Sequence, residues 1–358
     1  MIGLIRRGLY ISSFALLAIA LSSCREQANI DPAPSRFDGA TMGTTYSVLY
    51  ADSVTEQESA SLQQGVAALL AKLDKQVFST YASNSELSRL NAAPVGVPVA
   101  VSSELFDVLV ASQKVSAASD GAFDPTVGPL VNLWGFGPGR NALNTSVPPD
   151  DEVAAALSQV DYQAIVLDEE HGTVTRLAPV VIDLSAIAKG FGVDAVADYL
   201  ESRGVKNYFV EVGGELRIAG NKNSVENGWV PAIEAPEEGL SKIHAVLFTH
   251  GESIAVAGSG DYRNYFEQDG VRYSHEIDPR TGRPIMHTLA AVYVIDEQAM
   301  LADALATTYM ILGPEEAFNA AENTDQAAYF IVRSGVNAAG EVVFESLATE
   351  EFERFLQE

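Results

Sequence analysis

The stretch "VVIDLSAIAKGFGVDAVADYLESRGV" (180–205) narrows the possible folds more than any other part of the chain. It opens on an apolar run suited to a buried strand and switches at Asp183-Leu184-Ser185. It then continues at helical spacing until Gly204 closes it. A chain that changes period within three residues is neither all-α nor all-β. The surrounding patterns are equally mixed. "DGATMGTTYSVLYA" (38–51) reads as a β stretch, and from Thr55 a helix places Val66, Leu69, Leu70, Leu73 and Val77 on one face. "STYASNSELSRLN" (79–91) reads as a loop with a short helix, and a second helix spans about Ser103 to Ser119. Residues 121–139 form a glycine-proline loop around an apolar turn. "AIVLDEEHGTVTRL", "NYFVEVGGELRIAG" and the segment around "QDGVRY" read as hairpins. "AMLADALATTYMILG" (299–313) is a helix, followed by a helix from Pro314, two strands and a C-terminal helix. Strands and helices neither alternate strictly nor segregate, which predicts an α+β fold with a largely antiparallel sheet. No repeat or glycine-serine linker divides it, so one domain is expected over 37–358.

The N-terminus stands apart from this domain. Arg6 and Arg7 precede "LYISSFALLAIAL", which is too short to span a bilayer and has signal-peptide proportions. It ends in "LSSC", where Cys24 is the only cysteine of the chain. That ending resembles a bacterial lipobox, with residues 1–23 removed and Cys24 acylated as a membrane anchor. No thiol then remains, which excludes disulfides, zinc-thiolate sites and cysteine catalysis. Removing 1–23 takes two arginines and no acid, moving the net charge from −26 to −28. Such a surface repels nucleic acid and anionic lipid. Residues 24–36 then form a lipidated N-terminus and polar tether.

Four segments could carry chemistry. Asp303 and Thr307 in "ADALATT" lie one helical turn apart and offer two hard oxygens suited to Mg²⁺. A helix cap and a back-bonded threonine account for the same spacing. In "IDLSAIAKG", Asp183 emerges where a strand gives way to a helix, with Lys189 little more than a turn inside. Anion binding and simple capping by Asp183 or Ser185 both fit. Phe123, Trp134 and Phe136 could hold a planar heterocycle or merely pack. "SHEIDPRTG" is a well-formed turn sequence that explains everything in it except His275.

Taken in order, "TMGTTYSV", "STYASNSELSRLN", "GAFDPTVGPLVNLWGFGP", "IDLSAIAKGFGVD", "VEVGGELRIAG", "GSGDYRNYF", "SHEIDPRTG" and "ADALATT" resemble the ApbE family, the FAD:protein FMN transferases. The resemblance covers roughly residues 37–313. It implies an α+β arrangement of the tunnelling-fold (T-fold) type. It also implies a Mg²⁺-dependent transfer of FMN from FAD to a Thr or Ser of a target protein, with release of AMP. The implied targets are subunits of redox complexes, reached from a lipid anchor on the periplasmic side of the inner membrane.

By motif position, flavin contacts fall on Met42, Tyr81, Ala122, Phe123, Asp124, Asp183, Lys189 and Ile277. The metal falls to Asp303, Thr307 and the backbone of Ala186, and the base to His275. Ser185-Ala186 and Glu215 depart from the residues common at those positions. A backbone ligand tolerates the first departure. The resemblance assigns no role to the Glu215 carboxylate. Two other functions compete: an FAD pyrophosphatase giving FMN and AMP, and a lipid-anchored flavin-binding protein without catalysis. Asp303, Thr307 and His275 argue against the latter, since a pure binder needs no metal oxygens beside a base.

Overall fold

Met42 and Gly43 both adopt left-handed backbone, with φ of 47° and 73°. They fold the stretch read as one β segment into a tight hairpin of β1 (Ser35–Thr41) and β2 (Thr44–Tyr50), in register Thr41↔Thr44. Two positive-φ residues match the twist of the flanking strands. The computed structural model describes residues 33–137, 146–223, 227–237 and 242–358. Cys24 and the proposed leader lie outside them. Ser35 and Arg36, expected in the tether, are the first residues of β1.

Six more strands complete the main sheet: β3 (Tyr208–Val212), β4 (Glu215–Ala219), β5 (Ile254–Gly260), β6 (Leu289–Asp296), β7 (Ala327–Val336) and β8 (Val342–Ala348). Their spatial order is their chain order, and each runs antiparallel to the next. The α+β expectation with a largely antiparallel sheet therefore holds.

The helices follow their local signals. Thr55 caps α1 (Glu56–Lys72) through a complete capping box with Glu58. The predicted apolar face runs on past α1 into a π-helical turn, Leu73–Phe78. Further helices are α2 (Ser103–Ala118), α3 (Ala188–Ser202), α4 (Ala299–Leu312) and α5 (Pro314–Glu322). Leu62, Val66 and Leu70 of α1 and Val193, Val196 and Leu200 of α3 pack on Val48, Tyr50 and Val210. Further along the sheet, Ala302, Ala306 and Met310 of α4 pack with α5 on Val292, Val294 and Phe330. Trp229, Phe352 and Phe355 join a separate cluster with Ile218, Val256 and Tyr329.

One predicted strand is absent. Val180 and Ile182 are buried, but only Val181 forms a bridge, an isolated parallel pairing with Val127. The backbone groups of this segment are satisfied differently. Ile182 N–H donates to Asn91 Oδ1 and its carbonyl accepts from Asn91 Nδ2, both at 2.8 Å. Asp183 N–H donates to the Pro125 carbonyl at 2.7 Å. Among the described residues, no helix is long and apolar enough to cross a membrane.

Candidate active site

The site begins with a close approach of two helices. A Cβ on Gly190 of α3 would lie 2.2 Å from the Ala299 carbonyl oxygen of α4, so only glycine lets these backbones meet. That contact allows Gly190 N–H to donate to Asp303 Oδ2 at 3.0 Å. Lys189 Nζ lies 3.3 and 3.5 Å from the two Asp303 oxygens and 3.0 Å from Glu215 Oε1 on β4. One turn further along α4, Thr307 Oγ1 is 3.2 Å from Ser259 Oγ on β5.

Asp194 holds this arrangement in place. It accepts hydrogen bonds from Ala299 N–H and Met300 N–H, each at 2.9 Å, and so caps α4 from α3. The sequence reading overlooked Asp194. Its signal was a carboxylate one position from Val193 on the buried side of α3, with no local cap to serve. The expected capping of α3 by Asp183 or Ser185 is not what occurs. Asp183 Oδ1 instead accepts from Ser185 N–H at 2.8 Å and Ser185 Oγ–H at 2.5 Å, which fixes the turn ahead of the helix.

Charge at the cavity floor is unbalanced. Asp303, Glu215 and Glu276 are 2%, 3% and 6% exposed around the ammonium of Lys189. Burial works against the Lys189 charge, but Asp303 and Glu215 outweigh it and hold its pKa above the ordinary value. Burial pushes the Glu215 carboxyl up, with Lys189 opposing and Asp303 adding to the rise. Glu276 is raised for the same first reason. Glu215 Oε2 is buried without a hydrogen-bond partner among the described residues. This surplus of buried carboxylate oxygen over positive charge fits a hard divalent cation. No cluster of three His, Cys, Asp or Glu side chains suited to a metal occurs among the described residues. A cation here therefore has to draw on hydroxyl and carbonyl oxygens as well as Asp303.

The opposite wall is the "SHEIDPRTG" segment. The Asp278 carbonyl accepts from Thr281 N–H and Gly282 N–H, and its carboxylate accepts from the Arg280 backbone and guanidinium. Trp134 Nε1–H donates to the Gly282 carbonyl at 2.8 Å and stacks on Tyr273. Trp134 thus packs beneath the turn and does not line the cavity, whereas Phe123 and Phe136 do. His275 Nδ1 lies 3.2 Å from the Asn264 carbonyl. A carbonyl only accepts, so in the neutral ring the proton sits on Nδ1 and Nε2 keeps a lone pair.

A cavity of about 1380 Å³ joins the two walls. Met42, Tyr81, Ala122, Phe123, Asp124, Asp183, Ala186, Lys189, His275, Ile277, Asp303 and Thr307 all line it. Their surroundings differ. Tyr81 is 75% exposed, whereas Ala122, Phe123 and Ile277 are buried. Asp124 is spent on structure: Oδ1 accepts from Thr126 and Oδ2 from Tyr162 N–H. Met42 reaches from the hairpin turn to the surface of α3 above Gly192.

The sequence model described as the ApbE family matches residues 42–331. The chain belongs to the ApbE family. An FAD:protein FMN transferase of Vibrio cholerae is 41% identical over 342 residues, 94% of this chain and 96% of that protein. One from Haemophilus influenzae is 40% identical, covering 89% and 91%. The apo crystal structure of Pseudomonas stutzeri flavinyl transferase ApbE superposes with a TM-score of 0.79 at 39% identity, covering 90% of this chain and 96% of that one. Within this ApbE framework, the helix pair, the hairpin turn at Met42 and the turn beneath His275 converge on one cavity.

Proposed function

We propose that this chain is an FAD:protein FMN transferase. The carrying observation is that the Lys189–Asp303 floor and the unprotonated nitrogen of His275 line the same cavity. At about 1380 Å³ that cavity exceeds the roughly 300–1,000 Å³ of an ordinary small-molecule pocket, leaving space for a dinucleotide and an acceptor side chain.

In this reading Met42, Tyr81, Ala122, Phe123, Asp124, Asp183, Lys189 and Ile277 contact FAD. Asp303, Thr307 and the Ala186 carbonyl hold Mg²⁺, which supplies Lewis-acid charge to the pyrophosphate when bound. Lys189 adds a fixed positive charge at the floor. His275 Nε2 takes the proton of an acceptor Thr or Ser hydroxyl. The acceptor oxygen bonds to the FMN phosphorus, the pyrophosphate P–O bond breaks, and AMP leaves with the electron pair. The acceptors are subunits of redox complexes, reached from a Cys24 lipid anchor on the periplasmic side of the inner membrane. Residues 1–23 are the signal peptide, 24–34 the tether ahead of β1, and the domain takes the T-fold arrangement.

The test is incubation with FAD, MgCl₂ and a purified Ser/Thr-bearing acceptor, followed by a denaturing gel read by flavin fluorescence. A fluorescent acceptor band that needs all three additions is expected. Free FMN and AMP without a labelled acceptor would assign hydrolysis instead.

A further inference from the structure

His275 has a neighbour that the transfer reaction leaves unused. Glu276 is buried and lines the same cavity. Its Oε1 lies 3.6 Å from His275 Nε2, beyond hydrogen-bond length but within ion-pair range. Successive side chains of a regular strand point to opposite faces. Residues 275 and 276 fall in the break between strands Val271–Ser274 and Ile277–Asp278, so both can reach one cavity. The break is pinned on each side. Glu276 N–H donates to Ser274 Oγ at 3.3 Å, and its carbonyl accepts from Ile285 N–H at 2.9 Å.

Since His275 Nδ1–H is committed to the Asn264 carbonyl, the ring nitrogen left for this carboxylate is Nε2. We propose that Glu276 is the positioning residue of the base, stabilising the imidazolium that forms when Nε2 takes the acceptor proton. This rests on the transferase reading above. In the step, the acceptor O–H bond breaks, the proton moves to Nε2, the oxygen bonds to phosphorus, and AMP departs with the P–O electron pair. The imidazolium then returns its proton to solvent.

Burial acts most strongly on Glu276 and raises its pKa; His275 and Lys189 favour its ionised form, and Asp261 and Asp303 oppose it. Phe136 packs its ring edge-on to His275 and adds no charge. An opposite charge within about 4–6 Å moves a titration by roughly 1–3 units, so the pairing is large enough to measure.

The experiment uses Glu276→Gln, which keeps the shape and removes the charge. In the full chain, the His275 midpoint is followed by NMR of histidine-labelled protein, with His275→Asn for assignment. Single-turnover transfer with FAD, MgCl₂ and acceptor protein is measured across pH in parallel. The midpoint is expected to fall, and plateau transfer to drop by roughly threefold to tenfold, with FAD affinity kept. An unmoved midpoint and pH profile overturns the proposal. So does a slower reaction with lowered thermal stability but an unmoved midpoint, because packing explains that result. Absence of transfer by the parent overturns the transferase reading, whereas parental transfer by His275→Asn removes His275 as the base and the role of Glu276 with it. The NMR midpoint still decides the pairing.

Discussion

His275 and His287 bracket the same turn, yet their ring nitrogens are used in opposite ways. His275 commits Nδ1–H to the Asn264 carbonyl and leaves Nε2 without a hydrogen-bonding partner among the described residues. His287 commits both nitrogens: Nε2–H donates to the Met310 carbonyl at 2.8 Å, and Nδ1 accepts from Leu289 N–H at 3.3 Å. Burial also holds the His287 pKa below the ordinary imidazole value. Protonating His287 costs both desolvation and the Leu289 hydrogen bond, so it serves as a neutral strut. A histidine becomes a base by having one nitrogen held and the other left over.

The sharpest way to break this contrast is His275→Ala. Transfer should fall by about 10²–10⁴-fold while bound FAD is retained, read by single-turnover kinetics with flavin quantified alongside. Parental transfer would mean that the free nitrogen is not the proton acceptor. The next test asks whether the opposite wall acts independently of the base. Asp303→Asn should weaken Mg²⁺ binding by at least the ~10²-fold that loss of an outer-shell partner can cost, and Thr307→Val by less. Calorimetric titration without FAD measures this, and unchanged affinity in Asp303→Asn would remove the metal assignment.

Gly190→Ala tests the framework behind both walls. Its new methyl group meets the Ala299 carbonyl, so about 1–3 kcal/mol of stability should be lost in urea unfolding. A variant as stable as the parent would show that α3 and α4 separate freely. His287→Ala should have the smallest effect on chemistry, with transfer within about twofold of the parent and a stability loss near 1–3 kcal/mol. Because the folded His287 pKa is depressed, its stabilisation is full above the unfolded value near 6.5 and fades as pH falls through the folded one. The acid-side loss of stability expected of the parent should therefore shrink in this variant. An equal loss in both proteins would place that titration elsewhere.

Much of the fold was legible because its signals are short-ranged. The Thr55–Glu58 capping box, the Gly213-Gly214 turn and Asp269-Gly270, both with positive φ, depend only on neighbours in sequence. The strand expected at 180–182 failed because an apolar run says a segment is buried, not who takes its hydrogen bonds. Asn91, 91 residues away, took them. The site divides in the same way. Asp303 and Thr307 could be placed on one helical face, but that spacing alone suited a cap as well as a ligand pair.

The sequence by itself determined the α+β class, most of the element order and many of the residues with unusual chemistry, because periodicity, caps and glycine turns act over a few positions. Tertiary structure decided what those residues meet. It brought Lys189 to Asp303 across 114 positions, lent Asp194 of α3 to the open end of α4, and gave the two histidines their different partners. The physical reason is that ion pairs, trans caps and tautomers depend on distances of a few ångströms between remote segments. Only the packing of the sheet and its helices fixes those distances.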